Sequence, residues 1–346
     1  MRSPPITSEA RPASEQERSA ADYSKPNGNS ALTYTLLEDD AVEQLAASAA
    51  AFDRHAAAAQ TLQSRYSAEM SWQERNGVLQ LIKTQSDGRE HSLGDQTDGW
   101  IALHKKYLAD QLAARQALDL STKDLRAARG RNVSMGIARV PTIVIQILNE
   151  LENKGLGGYY RVIGTHALYA YEVAAGVAFD AQSTATRDVD LLWDVQQRIK
   201  LVANLDEVGL TMLQLLQLVD TSFERMEDQK ESAVNAEGFA VDFLRRRGPE
   251  DKVAYSISGK EGDVFPVPAE NSQKFLKSPP YEQVVIGGDG SMARMRTVDP
   301  GIFVDFKRWL AKLDTREPIK CRRDQRQADA VERLLREGRL VSSVRQ

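Results

Sequence analysis

The stretch Thr186-Arg187-Asp188-Val189-Asp190-Leu191-Leu192 limits most strongly how this chain can fold. Two carboxylates two positions apart, alternating with apolar residues, predict a half-buried strand whose acids share one face. Like charges so placed repel each other. A divalent cation relieves that repulsion, so the pattern points to metal-assisted phosphoryl or nucleotidyl transfer. The competing reading is two solvent-facing acids on a half-exposed strand. A third carboxylate shifts the balance. Asp242 sits mid-strand in Phe239-Ala240-Val241-Asp242-Phe243-Leu244, where an ion is costly without a partner. If that strand neighbours the Asp188 strand, three acids converge into a ligand set suited to Mg²⁺ or Mn²⁺, and Asp242 could also help activate an attacking hydroxyl. The alternative for Asp242 is a pairing with Arg245 or Arg246.

Upstream, Tyr159 to Ile163 reads as a strand running into Gly164-Thr165 and a helix through about Ala175. Glycine at such a junction lets a phosphate approach the backbone, and the helix N-terminus offers free N–H groups. Thr165 can cap that helix or donate to phosphate, and His166 has the same choice. In the C-terminal part, Lys307 borders the apolar stripe of Phe303 and Leu310. It is either a phosphate contact or a surface lysine lying along apolar neighbours. Asp324 continues the inward stripe of Ala328, Val331 and Leu335, and an inward carboxylate needs a cation. Lys307 could supply it, the pair then orienting a triphosphate or serving as a plain ion pair. Lys123, Arg126, Arg129, Arg131 and Arg139 form one basic cluster, and Lys320, Arg322, Arg323 and Arg326 a second. Charge runs are usually solvated faces, but a groove lined by both would bind a phosphate backbone. His55, His91 and His104 have no ligand-like spacing.

The chain has 346 residues, 42% apolar and 27% charged, enough for two domains with sizeable cores. Residues 1–31, rich in Ser, Pro and Ala, predict a flexible tail. Residues 32–139 read as mostly helical, with one hairpin from Val78–Lys83 through Asp87-Gly88 to Glu90–Leu93. Residues 140–298 alternate strands and helices in an α/β or α+β pattern, with a second hairpin around Asp289-Gly290. Residues 299–346 carry two amphipathic helices. Cys321 is the lone cysteine, which excludes an intramolecular disulfide or a thiolate zinc site. With no secretory leader pattern and no run of roughly 18 to 20 apolar residues, the expected setting is cytoplasmic, without a membrane.

The strand, Gly-[Ser/Thr], helix, Asp-x-Asp strand and later strand aspartate resemble the nucleotidyltransferase fold shared by DNA polymerase β and many small bacterial enzymes. More narrowly, Val162–Leu168, Thr186–Leu192, Ala233–Asp242 and Lys320–Ala328 are similar to a bacterial branch related to the AbiEii-type toxins of abortive-infection and toxin-antitoxin systems. The resemblance spans about Val140 to Gly338. It implies an α+β fold with a mixed sheet and flanking helices. Gly164 and Thr165 fall on the nucleotide-phosphate motif, Asp188 and Asp190 on the metal ligands, and Asp242 on the third acid. Lys307 and Asp324 fall where relatives have a lysine and an acidic motif in their C-terminal helices. Thr165 replaces the commoner serine or second glycine. The gap from Gly164 to Asp188 is long, with an insertion around Gly176 to Ser183.

The expected activity is thus Mg²⁺- or Mn²⁺-dependent transfer of a nucleoside monophosphate from NTP to an acceptor hydroxyl. RNA, tRNA in particular, is the acceptor that the resemblance suggests, with an antitoxin or other protein as a possible partner. Transfer to a small molecule or a protein side chain competes with this. So does a non-catalytic binding module, although such a module has no use for three acids.

Overall fold

The computed structural model describes residues 34–193, 201, 202, 205, 209–248 and 254–344, so the tail expected over residues 1–31 lies outside the described residues. β1 (Tyr34–Leu36) leads into α1 (Asp39–Tyr66). An antiparallel meander follows, formed by β2 (Glu69–Arg75), β3 (Val78–Thr84) and β4 (Glu90–Asp95), before α2 (Asp98–Ser134) runs back along α1. The expected hairpin is β3 and β4; β2 is an addition to it. Its turn is Asn76-Gly77, both residues at positive φ, the conformation that an Asn-Gly hairpin turn requires. Only Met70 and Trp72 alternate as large apolar residues in β2, so its two-residue period is faint.

Helices α1 and α2 meet along small side chains. Ala41, Ser48 and Ala51 face Ala114, Ser121 and Ala128, the last three at heptad spacing on one side of α2. Asn132 closes this contact and is fully buried. Its Oδ1 accepts from Ser48 Oγ at 2.6 Å and Gln44 Nε2 at 2.9 Å, and its Nδ2 donates to the Gly290 carbonyl at 3.0 Å.

The rest of the chain comprises α3 (Thr142–Asn153), β5 (Tyr160–Ile163), α4 (Ala167–Ala175), β6 (Val177–Phe179), α5 (Ala181–Thr184), β7 (Asp188–Trp193) and α6 (Met212–Val219). Next are β8 (Glu224–Arg225), β9 (Ser232–Val234), β10 (Ala240–Arg246), β11 (Val267–Ala269) and α7 (Ser272–Lys277). The chain finishes with β12 (Tyr281–Ile286), β13 (Met292–Thr297), α8 (Pro300–Leu310) and α9 (Pro318–Arg336). The main sheet runs β12-β13-β5-β7-β10-β9-β8, with β11 pairing to β10 past the end of β9. β7 and β10 are parallel while β5 and β7 are antiparallel, so the sheet is mixed. This is the α+β arrangement, a mixed sheet with flanking helices, that the sequence leads one to expect.

Alternation along the central strands divides the core. Val189, Leu191, Trp193, Val241 and Phe243 pack with α3 and α6. Ile163 and Leu192, with Leu244 against them, pack with α4, α8 and α9 on the opposite face. The even-numbered positions of β7 and β10 therefore look toward the C-terminal helices. The insertion around Gly176 to Ser183 becomes β6 and α5, and β6 pairs antiparallel with β1, Leu36 opposite Val177. α1 and α2 also cover the β12–β13 hairpin through Ala41, Leu45, Ala128, Val284, Ile286 and Met292. The described residues form one compact unit. No helix among the described residues is long and apolar enough to cross a membrane.

Replacing Asn132 with Ala strands the Gly290 carbonyl and the Ser48 hydroxyl inside the packed junction. Chemical denaturation of Asn132→Ala should show a loss of about 2 to 3 kcal/mol in unfolding free energy.

Candidate active site

The parallel register of β7 and β10 sets Asp190 opposite Asp242 and Asp188 opposite Ala240. All three acids occupy even positions, so they stand on the face turned toward α8 and α9. One oxygen from each of Asp188, Asp190 and Asp242 lies within 4.8 Å of the others. On the other side of β7, Ile163 pairs with Asp190, which brings Gly164 against the cluster. Gly164 has φ of +69°, and a Cβ there would meet Asp190 Oδ2 at 2.1 Å. Glycine is thus required for two reasons, the left-handed backbone and the space that the carboxylate occupies.

Hydroxyls hold the flanking acids. Thr186 Oγ1 donates to Asp188 Oδ1, and Ser232 Oγ donates to Asp242 Oδ1 at 2.5 Å. Burial, then the charges of Asp188 and Asp242, push the Asp190 carboxyl up to about 7. Asp242 is also raised, by burial first, with the Ser232 hydrogen bond opposing. Three converging carboxylate oxygens, two of them on acids whose ionisation burial resists, Asp190 and Asp242, are a donor set that fits a hard divalent cation, and Asp188, Asp190 and Asp242 are the residues that could hold one.

Beside the acids opens a cleft of about 240 Å³. Gly164, Thr165, Asp188 and Asp190 form one side, Lys307, Arg316, Lys320 and Arg323 bring positive charge, and Ile163, Leu244, Phe306 and Leu310 supply apolar wall. Thr165 does not cap α4, whose N-terminus has no side-chain cap. Its Oγ1 instead accepts from Gln327 Nε2 at 3.3 Å, leaving its own proton for another acceptor. Lys307 is 2% exposed and donates to Asp324 Oδ1 at 2.8 Å, while Arg316 Nε donates to Asp324 Oδ2 at 2.6 Å. Asp324 is fully buried and does not line the cleft, so it acts by holding two cations that do. Burial lowers the Lys307 ammonium, and the Asp324 and Asp190 charges oppose that effect. His166 makes no cap and does not line the cleft. It is buried against Tyr169 and Phe239, and burial pushes it down to about 4, so it stays neutral near pH 7.

Residues outside the sequence reading complete the site. Arg316 lies between helices, where no periodicity marks it, and Thr186, Ser232 and Gln327 are small polar residues that carry no pattern of their own. In the first basic cluster, three arginines are engaged within the chain, while Lys123 and Arg126 are exposed on α2. Arg139 is bidentate on buried Glu172, Arg129 pairs with Asp289, and Arg131 donates to Gln44. These arginines tie α2 and the segment after it to the rest of the chain. In the second cluster Lys320 and Arg323 do reach the cleft, while Arg326 donates to Gln182.

Asp190 sets the expected pH response of the metal-free protein. The folded chain keeps this proton to about pH 7, whereas the unfolded chain releases it near pH 4. The folded state therefore binds the extra proton between about pH 4 and pH 7, and its contribution to stability falls as pH rises through that window. Without metal at about pH 8, Asp190→Asn should melt above the unsubstituted protein. Added Mg²⁺ should raise the Tm of the unsubstituted protein and leave that of Asp190→Asn nearly unchanged, as measured by thermal melts.

A family profile described as a nucleotidyltransferase matches residues 142–346, a range that contains all three acids, Gly164, Thr165, Lys307 and Asp324. No curated protein and no solved structure matches the chain. With the matched region covering more than half of its length, the chain belongs to this nucleotidyltransferase family.

Proposed function

We propose that the protein is a metal-dependent nucleotidyltransferase that moves a nucleoside monophosphate from an NTP to an acceptor hydroxyl, releasing pyrophosphate. The convergence of the Asp188, Asp190 and Asp242 oxygens within 4.8 Å carries this reading. Asp188, Asp190 and Asp242 would hold Mg²⁺ or Mn²⁺, which when bound neutralises charge developing on the phosphoryl oxygens. Gly164 lines the cleft and makes room there for the Asp190 carboxylate, and the Thr165 hydroxyl, which accepts from Gln327, keeps a proton to donate to a phosphate. Lys307, Arg316, Lys320 and Arg323 balance the triphosphate charge, with Asp324 keeping Lys307 and Arg316 in place. Ser232 fixes one oxygen of Asp242, and the other takes the proton of the acceptor hydroxyl. The apolar wall of Phe306, Leu310 and Leu244 limits water around the transferred group.

RNA, tRNA in particular, is the acceptor this reading favours. Lys320 and Arg323 at the cleft support it, as does the resemblance of four segments to a bacterial nucleotidyltransferase branch that is similar to AbiEii-type toxins. Control by an antitoxin chain and a cytoplasmic setting belong to the same reading. So does the division of the chain at residue 140, close to where the family match begins.

The test is incubation of the full chain with each labelled NTP, Mg²⁺ and total cellular RNA. Label should enter RNA, and Asp190→Asn and Asp242→Asn should each lower incorporation on the order of a hundredfold or more. Label entering a protein or a small molecule instead would move the acceptor to that class. Incorporation undiminished in both variants would refute the metal-dependent mechanism.

A further inference from the structure

A second cavity, of about 470 Å³, lies on the other side of α8 from the acids and has no part in the chemistry above. Its floor is aromatic. Phe306 and Trp309 stack at 5.9 Å between centroids with planes 22° apart, and Phe275 meets Phe306 edge-on at 4.7 Å. Exposed Lys274 and Lys277 stand on the rim, and Asp305 also lines the cavity. Phe306 lines both this cavity and the cleft beside the acids, so the two flank the same turn of α8.

Flat aromatic surface edged by lysine suits a planar base carried on a phosphate backbone. The volume lies within the range of sites that enclose a small ligand, ample for one nucleoside. We infer that this cavity is the acceptor subsite, in which an unpaired nucleoside of single-stranded RNA stacks on Trp309 and Phe306 with its phosphates on Lys274 and Lys277. The inference rests on the nucleotidyltransferase reading for the word acceptor, and on the cavity alone for RNA binding.

A fluorescently labelled single-stranded ribo-oligonucleotide of about eight nucleotides, titrated into the full chain with Mg²⁺ and no NTP, tests it by anisotropy. Trp309→Ala and the double variant Lys274→Glu/Lys277→Glu should each weaken binding about tenfold or more, and the double variant should also flatten the dependence on salt. Trp309→Phe should keep most of the affinity, since it keeps a ring. Binding of Mg-ATP, followed by calorimetry, should stay within about twofold for all three. Oligonucleotide affinity unchanged in both Trp309→Ala and the lysine variant overturns the inference. Loss of Mg-ATP binding in Trp309→Ala also overturns it, because the cavity then holds the base of the NTP. If Trp309→Ala fails to fold, the surface lysine variant decides alone. The two readings fail separately. RNA binding that depends on Trp309 without nucleotide transfer sinks the proposed activity, whereas transfer to RNA indifferent to Trp309 and the lysines sinks the subsite.

Discussion

Electrostatic repulsion among three carboxylates, forced together by strand register, is the constraint to which the rest of the structure answers. β7 and β10 run parallel with Asp190 abreast of Asp242, so neither acid can leave without breaking the ladder between the two most central strands. Burial first, and then the charges of Asp188 and Asp242, drive the Asp190 carboxyl up to about 7. Thr186 and Ser232 hold the two flanking acids by one oxygen each, and Gly164 gives up its side chain to make room. Lys307 and Arg316 offset this conflict only in part, which leaves a site suited to a cation from solution.

Positive charge arrives from another part of the chain. Lys307 on α8 and Arg316 just past it are brought to the cleft by buried Asp324 on α9. Removing one partner from so buried a set typically costs about 3 to 5 kcal/mol, since it leaves the others without compensation. The same pairing fixes the angle of α8 against α9, and with it the wall formed by Phe306 and Leu310. Inward charge in the C-terminal helices therefore shapes the cleft and neutralises it at once.

Much of this was legible before any coordinates. Alternation marked Asp188, Asp190 and Asp242 as strand acids because period two is a local property, and helical spacing pointed Asp324 inward for the same reason. The pairing of β7 with β10 rested on resemblance, since no local pattern says which strands are neighbours. Arg129, Arg131 and Arg139 misled because a charge run does not reveal its partners. Glu172, Asp289 and Gln44, which take up those guanidiniums, are far away in sequence. β2 was hidden by its polar outer face although Asn76-Gly77 announced its turn. Thr186, Ser232 and Gln327 act through single hydrogen bonds, which leave no periodic trace.

The pairing of β1 with β6, and the cover that α1 and α2 place over β12 and β13, bear on how this chain can be cut. An excised piece beginning at residue 142 would bare the rim of β6 together with Val284, Ile286 and Met292, all now shielded by upstream segments. Naked strand margins and greasy patches of that kind invite self-association. The catalytic half is consequently upholstered by the portion that precedes it, and a truncation drawn at the edge of the family match would separate a surface from its lining.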